Sequence, residues 1–371
     1  MNIPFVDLQS QYRNLKSEID KKIIEILDAG HYIGGPDHSD FQKNLSLLLK
    51  IDHSILVANG TDAIYACLKM LNIGAGDEVI TTAHSWISTS ETISQAGAKP
   101  IFIDTNEHFC IDSKFIEEKI TSNTRAIIPV HLYGHSCDMT EIMSIAKKYN
   151  LVVIEDCAQA ILTKWRDKEV GSFGSAGTIS FFPGKNLGAY GDAGAVVTND
   201  NDLSLKIKKF TNHGSLVKHE HEIEGINSRM DNLQAGILNI KIKYIKEWIE
   251  LRRSAANYYS HKLKEIDEVS IPSVHKDCFH TYHLYVIRVS AEKRNQLKAF
   301  LEEHGISVGI HYPKSLPELD CYKFLELNIN DFPNAVTSCQ EILSLPIFPE
   351  ITEKQIDYVV DHIKHFFSSP N

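Results

Sequence analysis

Lys185 stands between two glycine-rich turns in SFFPGKNLGAYGDAGA, residues 180–195. A lysine offered from such a loop can hold a phosphate, pair with a carboxylate, or add its amine to an aldehyde. In isolation it reads as readily as a surface lysine in a tight turn. The segment IEDCAQ, residues 154–159, places Asp156 and Gln159 three positions apart at the end of an apolar run. A carboxylate there can cap a following helix. It can equally be a buried anion awaiting a cation, and a protonated pyridine nitrogen would serve, since the pairing would raise that nitrogen's pKa. A helical turn beginning at Asp156 would let Gln159 donate to a phenolate oxygen on the same ring. In NGTD, residues 59–62, Gly60 permits a tight turn, and Thr61 with the free amides of a helix start can cradle a phosphate. Capping by Thr61 or Asp62 is the competing reading. The segment matches neither GxxxxGK[ST] nor GxGxxG. Trp86 can stack on a planar ring or pack in a core.

These groups need a frame to bring them together. From residue 55 to 198, short β-branched runs at 55–57, 78–82, 100–103, 125–130, 151–154, 177–181 and 195–198 alternate with helical patterns at 63–71, 88–96, 113–120 and 139–148. That alternation predicts right-handed βαβ crossovers and a mainly parallel sheet flanked by helices. Ligands collect at the carboxyl ends of such strands, so the site is expected from residues 59–62, 84–86, 156–159 and 180–185. A long helical pattern covers 230–259. Beyond it the texture changes to strand-like 281–289, helical 291–304, strand-like 306–310 and helical 353–367. The expectation is α/β: a large domain, 1–247 with the N-terminal segment, and a smaller α+β domain, 248–371, divided inside the long helix near Trp248.

A chain of 371 residues suits two packed domains. Its net charge of −10 argues against a general nucleic-acid binder, which needs a basic surface. A local anion pocket remains open to it. The N-terminus lacks the apolar stretch of a signal peptide, and no apolar run approaches the roughly 20 residues of a membrane helix. Seven scattered cysteines without a CxxC pair suggest free thiols in a reducing compartment rather than disulfides or a metal site. The expected setting is cytoplasmic, with no metal, membrane or nucleic-acid partner.

Taken together and in order, the motifs resemble the DegT/DnrJ/EryC1/StrS group of sugar aminotransferases, fold-type-I enzymes that use pyridoxal 5′-phosphate. The resemblance runs from IPFVDLQ at residues 3–9 through NGTDA, GDEVITTAHSW, PVHLYG, IEDCAQA, GSFG, SFFPGKNLGAYGDAGAVVT and INSRMDNLQA. It implies that Lys185 is the Schiff-base lysine and proton carrier, that Asp156 pairs with the pyridine nitrogen, and that Gln159 lies beside the phenolate oxygen. It sets Trp86 against the ring, makes Gly60, Thr61 and Ser180 the phosphate cradle, and brings Asn227 in from the neighbouring subunit of a homodimer. Tyr190, Arg229, His311 and Tyr312 are the implied substrate contacts. His131, His213 and the 218–221 run are further histidines that could approach a sugar. Two departures, Cys157 where alanine is common and Ala75 where proline is common, fall away from the implied chemistry.

The implied reaction is ping-pong transfer of an amino group from L-glutamate to a keto-sugar nucleotide, through the pyridoxal and pyridoxamine forms of the cofactor. The GAYGDAGA turn resembles the branch that aminates C3, so a dTDP-linked 3-keto-6-deoxyhexose is expected, with a UDP-linked 3-keto or 4-keto sugar as the competitor. Relatives that dehydrate instead carry histidine at the lysine position, and Lys185 argues against that. A regulatory use of the fold would need neither Lys185 nor Asp156. A nicotinamide dehydrogenase would need GxGxxG after its first strand.

Overall fold

The computed structural model describes residues 1–368. Two helices lead the chain, α1 (Leu8–Ala29) and α2 (Pro36–Leu49). The Asp7 side chain accepts from the Ser10 amide at the start of α1, and Gly30 ends it in the left-handed region at φ 68°. Proline at the first position of α2 supplies a helical φ where no amide is needed. The alternating region follows as β1 (His53–Val57), α3 (Gly60–Met70), β2 (Glu78–Thr82), α4 (Ser88–Ala96), β3 (Lys99–Ile103), β4 (Thr124–Ile128), α5 (Met139–Tyr149), β5 (Val152–Asp156), β6 (Ala176–Ser180) and β7 (Gly194–Thr198). Then come α6 (Asn201–Phe210), α7 (Asn232–Lys241) and α8 (Ile245–Leu263).

The seven strands form one sheet in the order β1, β7, β6, β5, β4, β2, β3. Only β7 runs against its neighbours, β1 and β6, so the sheet is mainly parallel as the alternation implied. Its strands are almost continuously buried, as expected of a sheet covered on both faces. The carboxyl ends of β1, β2, β5 and β6 open on one edge, and the motifs of the first subsection lie in the loops leaving that edge.

A second core is built on β8 (Tyr285–Arg288), α9 (Ala291–Glu303), α10 (Pro333–Glu341), β9 (Ile342–Leu345) and α11 (Glu353–Ser368), with β8 and β9 paired antiparallel. Helix α8 belongs to both bodies: Trp248 and Ile249 pack with the sheet, and Ala256, Tyr259 and Leu263 with the second core. Ile3 is also buried in the second core, its amide bonded to the Gly305 carbonyl at 2.8 Å. The IPFVDLQ segment is therefore laid across the small body before α1 joins the large one.

Several expectations change. The helical pattern at 113–120 is two short 3-10 turns, Ser113–Phe115 and Glu117–Lys119, too few residues to propagate an α-helix. The pattern at 230–259 is two helices, broken where the chain turns at Ile242 and Tyr244. Residues 306–310 form isolated bridges, Ile3 with Ile306 and Gly309 with Ser344, rather than a strand. The segment 281–289 is extended only as Tyr285–Arg288.

Candidate active site

Helix α3 begins directly after β1. Its cap is Asn59, whose Oδ1 accepts from the Asp62 amide at 2.8 Å, so neither Thr61 nor Asp62 caps it. Thr61 is thereby free to turn its hydroxyl to Ser88, 2.7 Å away at the start of α4. Gly60 lies so close to the end of β6 that an added Cβ would stand 2.9 Å from the Ser180 Cβ. That approach gathers the first amides of α3 and the Thr61, Ser88 and Ser180 hydroxyls at one end of a cavity of about 530 Å³. A helix N-terminus ringed by hydroxyls is an anion site, favourable above all for a phosphate.

Asp156 ends β5, only 4% exposed. No helix follows it; the chain turns, and Oδ1 accepts from the Ala158 amide at 3.1 Å. The Thr89 hydroxyl donates to Oδ2 at 2.7 Å. Both oxygens line up with single neutral donors, and Asp156 has no ion pair among the described residues. It is a buried, oriented anion open to a cation in the cavity. Its neighbour Glu155 is wholly enclosed and fully satisfied. One oxygen accepts from Phe173 and Gly174 at 2.7 and 2.8 Å, the other from Gly171 at 2.8 Å and His131 Nε2 at 3.2 Å. The GSFG motif thus supplies amides that make burial of Glu155 affordable in free energy. His131, Glu155 and Cys157 also lie close together. The lone pair of His131 Nδ1 is already used by the Cys137 amide at 3.1 Å, and its other nitrogen donates to Glu155, so the ring has nothing to offer an ion.

Gln159 lies inside the same turn. Its Oε1 accepts from the Tyr133 amide at 2.7 Å, which directs Nε2 to the Tyr312 hydroxyl at 3.0 Å and to the cavity. Tyr133 is held at φ 60°, a costly conformation for a side chain of its size, and that strain aims its amide at Gln159. Trp86, 57% exposed, leans against Tyr312 at the cavity mouth, ring centres 5.5 Å apart.

Lys185 lines the same cavity as Asp156. The residue is half-buried, its amine is enclosed by the cavity walls, and that burial lowers its pKa to about 8, with the Asp156 charge opposing the shift. Burial, and secondarily Lys185, push His311 down to about 4. Burial likewise drives His283 well below the ordinary histidine range, so both cavity histidines are neutral near pH 7.

Of the residues singled out by sequence, Gly60, Thr61, Trp86, Asp156, Gln159, Ser180, Lys185, His311 and Tyr312 all face this cavity. Tyr190, Arg229 and Asn227 do not. Tyr190 packs below the lysine loop against Tyr12 and Lys241. Arg229 donates to Asn212 at 3.0 Å, and Asn227 is exposed beside the same segment. Cavity residues not anticipated include Phe5, Ser88, Thr89, Asp192 and His283. Thr89 had no local signal, since it meets Asp156 from the first turn of α4 across 67 residues of chain. His283 had none, because its approach depends on how the second core docks.

A ring-bearing phosphate ester fits this donor set: an amide and hydroxyl cradle, a buried carboxylate with no ion pair among the described residues, and a partly neutral amine in one cavity. A mainly parallel sheet with a lysine and a carboxylate together at its carboxyl edge defines a fold-type-I transferase. The family comparison is specific. Residues 13–364 match the DegT/DnrJ/EryC1/StrS aminotransferase family, and the chain belongs to that family. It is 43% identical to a protein of Geobacillus stearothermophilus named as a pleiotropic regulatory protein, over 99% of both chains. Identity is 40% to the dTDP-3-amino-3,6-dideoxy-alpha-D-galactopyranose transaminase of Aneurinibacillus thermoaerophilus, over 98% of this chain and 99% of that one. It is 39% to the UDP-N-acetyl-3-dehydro-alpha-D-glucosamine 3-aminotransferase of Acidithiobacillus ferrooxidans, over 98% and 97%. Among solved structures, S. venezuelae DesV in complex with a ketimine intermediate superposes with a TM-score of 0.96 at 35% identity, over 100% of both chains. The chain is an aminotransferase. Among the described residues no helix is long and apolar enough to cross a membrane.

Proposed function

We propose that this enzyme moves an amino group from L-glutamate to C3 of a dTDP-linked 3-keto-6-deoxyhexose, giving a 3-amino-3,6-dideoxy sugar nucleotide. The enzyme is a pyridoxal-phosphate-dependent sugar aminotransferase; the donor, the carbon and the nucleotide are the proposal. The observation carrying it is that Lys185 and Asp156 line one cavity together with the α3 N-terminus and the Thr61, Ser88 and Ser180 hydroxyls. The GAYGDAGA turn and the relative that makes a dTDP-linked 3-amino-3,6-dideoxy sugar support the choice of acceptor. The relative acting on a UDP-linked 3-keto sugar favours the second reading, a UDP-linked acceptor aminated at the same carbon.

When bound, pyridoxal phosphate supplies an aldehyde carbon for amine exchange and a protonated ring that takes up an electron pair. Lys185 is the residue that would attach it, and its freed Nζ would carry the proton between the donor's Cα and the cofactor's aldehyde carbon. A pKa lowered to about 8 leaves part of the amine unprotonated near neutrality, as a base must be. Asp156, fixed by Thr89 and Ala158, would pair with the ring nitrogen and preserve its positive charge without itself moving a proton. Gln159 offers its remaining amide proton to the phenolate oxygen. The α3 amides, Thr61, Ser88 and Ser180 would hold the cofactor's phosphate, and Trp86 would lie against its ring. His311 and Tyr312, at the side formed by the second core, meet the sugar. Asn227, outside this cavity and exposed, would reach the phosphate of the opposite subunit's site in a homodimer.

The test is an absorption spectrum of the purified holoenzyme before and after L-glutamate, beside Lys185→Ala, then mass and NMR analysis of the product from dTDP- and UDP-linked 3-keto and 4-keto sugars. Bleaching by glutamate in the parent alone, followed by a 3-amino product from the dTDP sugar, is expected. Turnover only with a UDP carrier would replace the nucleotide, and amination only at C4 would overturn the regiochemistry.

A further inference from the structure

Lys241 is a lysine with no access to solvent, on the last turn of α7 and outside the cavity. Its Nζ donates to the Gly188 carbonyl at 2.7 Å and stands 4.1 Å from the centre of the Tyr190 ring. Both acceptors belong to the loop that presents Lys185. Seven residues earlier, and so on the same face of α7, Gln234 accepts from the Tyr190 amide at 2.8 Å. One helix therefore grips the chain at two consecutive points just after Lys185.

The loop itself is closed tightly. The Lys185 amide bonds back to Phe182 and the Ala189 amide to Phe181, each at 2.8 Å. Gly188 packs so closely on Pro183 that an added Cβ would lie 2.2 Å from its carbonyl oxygen. The Gly188 carbonyl points away from that closure and is taken up by Lys241. Holding an amine in such a place is costly. Burial lowers the pKa of Lys241 to about 7, and the one anion acting on it, Glu350, has a buried oxygen of its own without a hydrogen-bond partner. An apolar side chain of similar length would fill the space at lower cost. The group that justifies a donor at this position is the Gly188 carbonyl, three residues from Lys185.

We propose that Lys241 is a positioning residue, which fixes the backbone of the Lys185 loop from beneath and so sets where the Lys185 amine stands in the cavity. The inference rests on the assignment of Lys185 to cofactor attachment, but one of its tests does not. Lys241→Met keeps the volume and removes the donor; Lys241→Gln restores a donor. Each is compared with the parent as apoprotein by hydrogen exchange of amides 185–190, and by the rate at which it captures added pyridoxal phosphate. Kinetic constants for L-glutamate are measured in the reconstituted enzyme.

In Lys241→Met, faster exchange confined to the loop is expected, with capture and kcat each about tenfold lower, as suits the loss of one buried hydrogen bond. KM for glutamate should stay within twofold, and Lys241→Gln should recover most of the loss. Unchanged exchange and capture in Lys241→Met would overturn the proposal. So would a Lys241→Met protein that does not fold beside a normal Lys241→Gln, since the residue would then serve the core at large. Normal capture by Lys185→Ala would instead refute the role given to Lys185, and leave the exchange result to stand on its own.

Discussion

The amine of Lys185 should attack an aldehyde at a pH where an ordinary lysine is almost inert. Burial holds its pKa near 8 against the usual 10.5, and Asp156 prevents a larger fall. At pH 7 about one-tenth of such an amine is unprotonated, against about one part in 3,000 for an unshifted lysine, a ratio of about 300. Only the unprotonated form is nucleophilic, so the ratio carries directly into rate. The assay is stopped-flow capture of pyridoxal phosphate by apoenzyme between pH 6 and 10. Each rate is divided by that of a blocked free lysine at the same pH, which removes the cofactor's own titration. Below pH 8 both amines gain tenfold per unit, so the ratio should stay level. Above it the enzyme has saturated while the free amine still climbs, and the ratio should fall about tenfold per unit. A ratio flat to pH 10 would show an unshifted amine and refute the reasoning. Asp156→Asn removes the charge that favours the ammonium, so the break should move to lower pH; movement upward would contradict the geometry.

Thr89→Val removes the 2.7 Å bond that orients Asp156, and kcat should fall about tenfold with little change in KM for glutamate, measured by steady-state kinetics. Glu155→Ala leaves the amides of Gly171, Phe173 and Gly174 and the His131 ring without their acceptor. A loss of about 3–5 kcal/mol is expected in urea unfolding, and a loss under 1 would mean water replaces the carboxylate. Gly60→Ala forces a methyl to 2.9 Å from Ser180 and should weaken cofactor retention, read by dialysis at fixed ionic strength, while far-ultraviolet dichroism stays unchanged.

Much of the frame was legible because its signals are local. The runs that became β2, β5 and β6 are short, β-branched segments bounded by turns, and nearly all of their residues are buried, as a sheet covered on both faces requires. The pattern at 230–259 misled because its hydrophobic spacing continues through the bend at residues 242–244 that redirects α8 toward the second core. Residues 306–310 misled for the opposite reason: their β-branched composition is real, but only isolated partners, Ile3 and Ser344, stand opposite them. Residues 113–120 have helical spacing over too short a length to hold it against the chain reversals on either side.

By itself the sequence determined which side chains are candidates for the chemistry and that they leave one edge of a mainly parallel sheet, since residue type and spacing are properties of the chain. Lys185, Asp156, Gln159 and the start of α3 were singled out by their order along the chain, and all of them line the one cavity. The tertiary structure decided the roles that depend on approach between distant segments. Thr89 meets Asp156, Glu155 is enclosed by the GSFG amides, and His283 and Tyr312 arrive with the second core. Tyr190 and Lys241 were placed beneath the lysine loop rather than in the cavity. Such contacts join residues tens to hundreds of positions apart, and no local pattern specifies them because packing of whole elements fixes which faces meet.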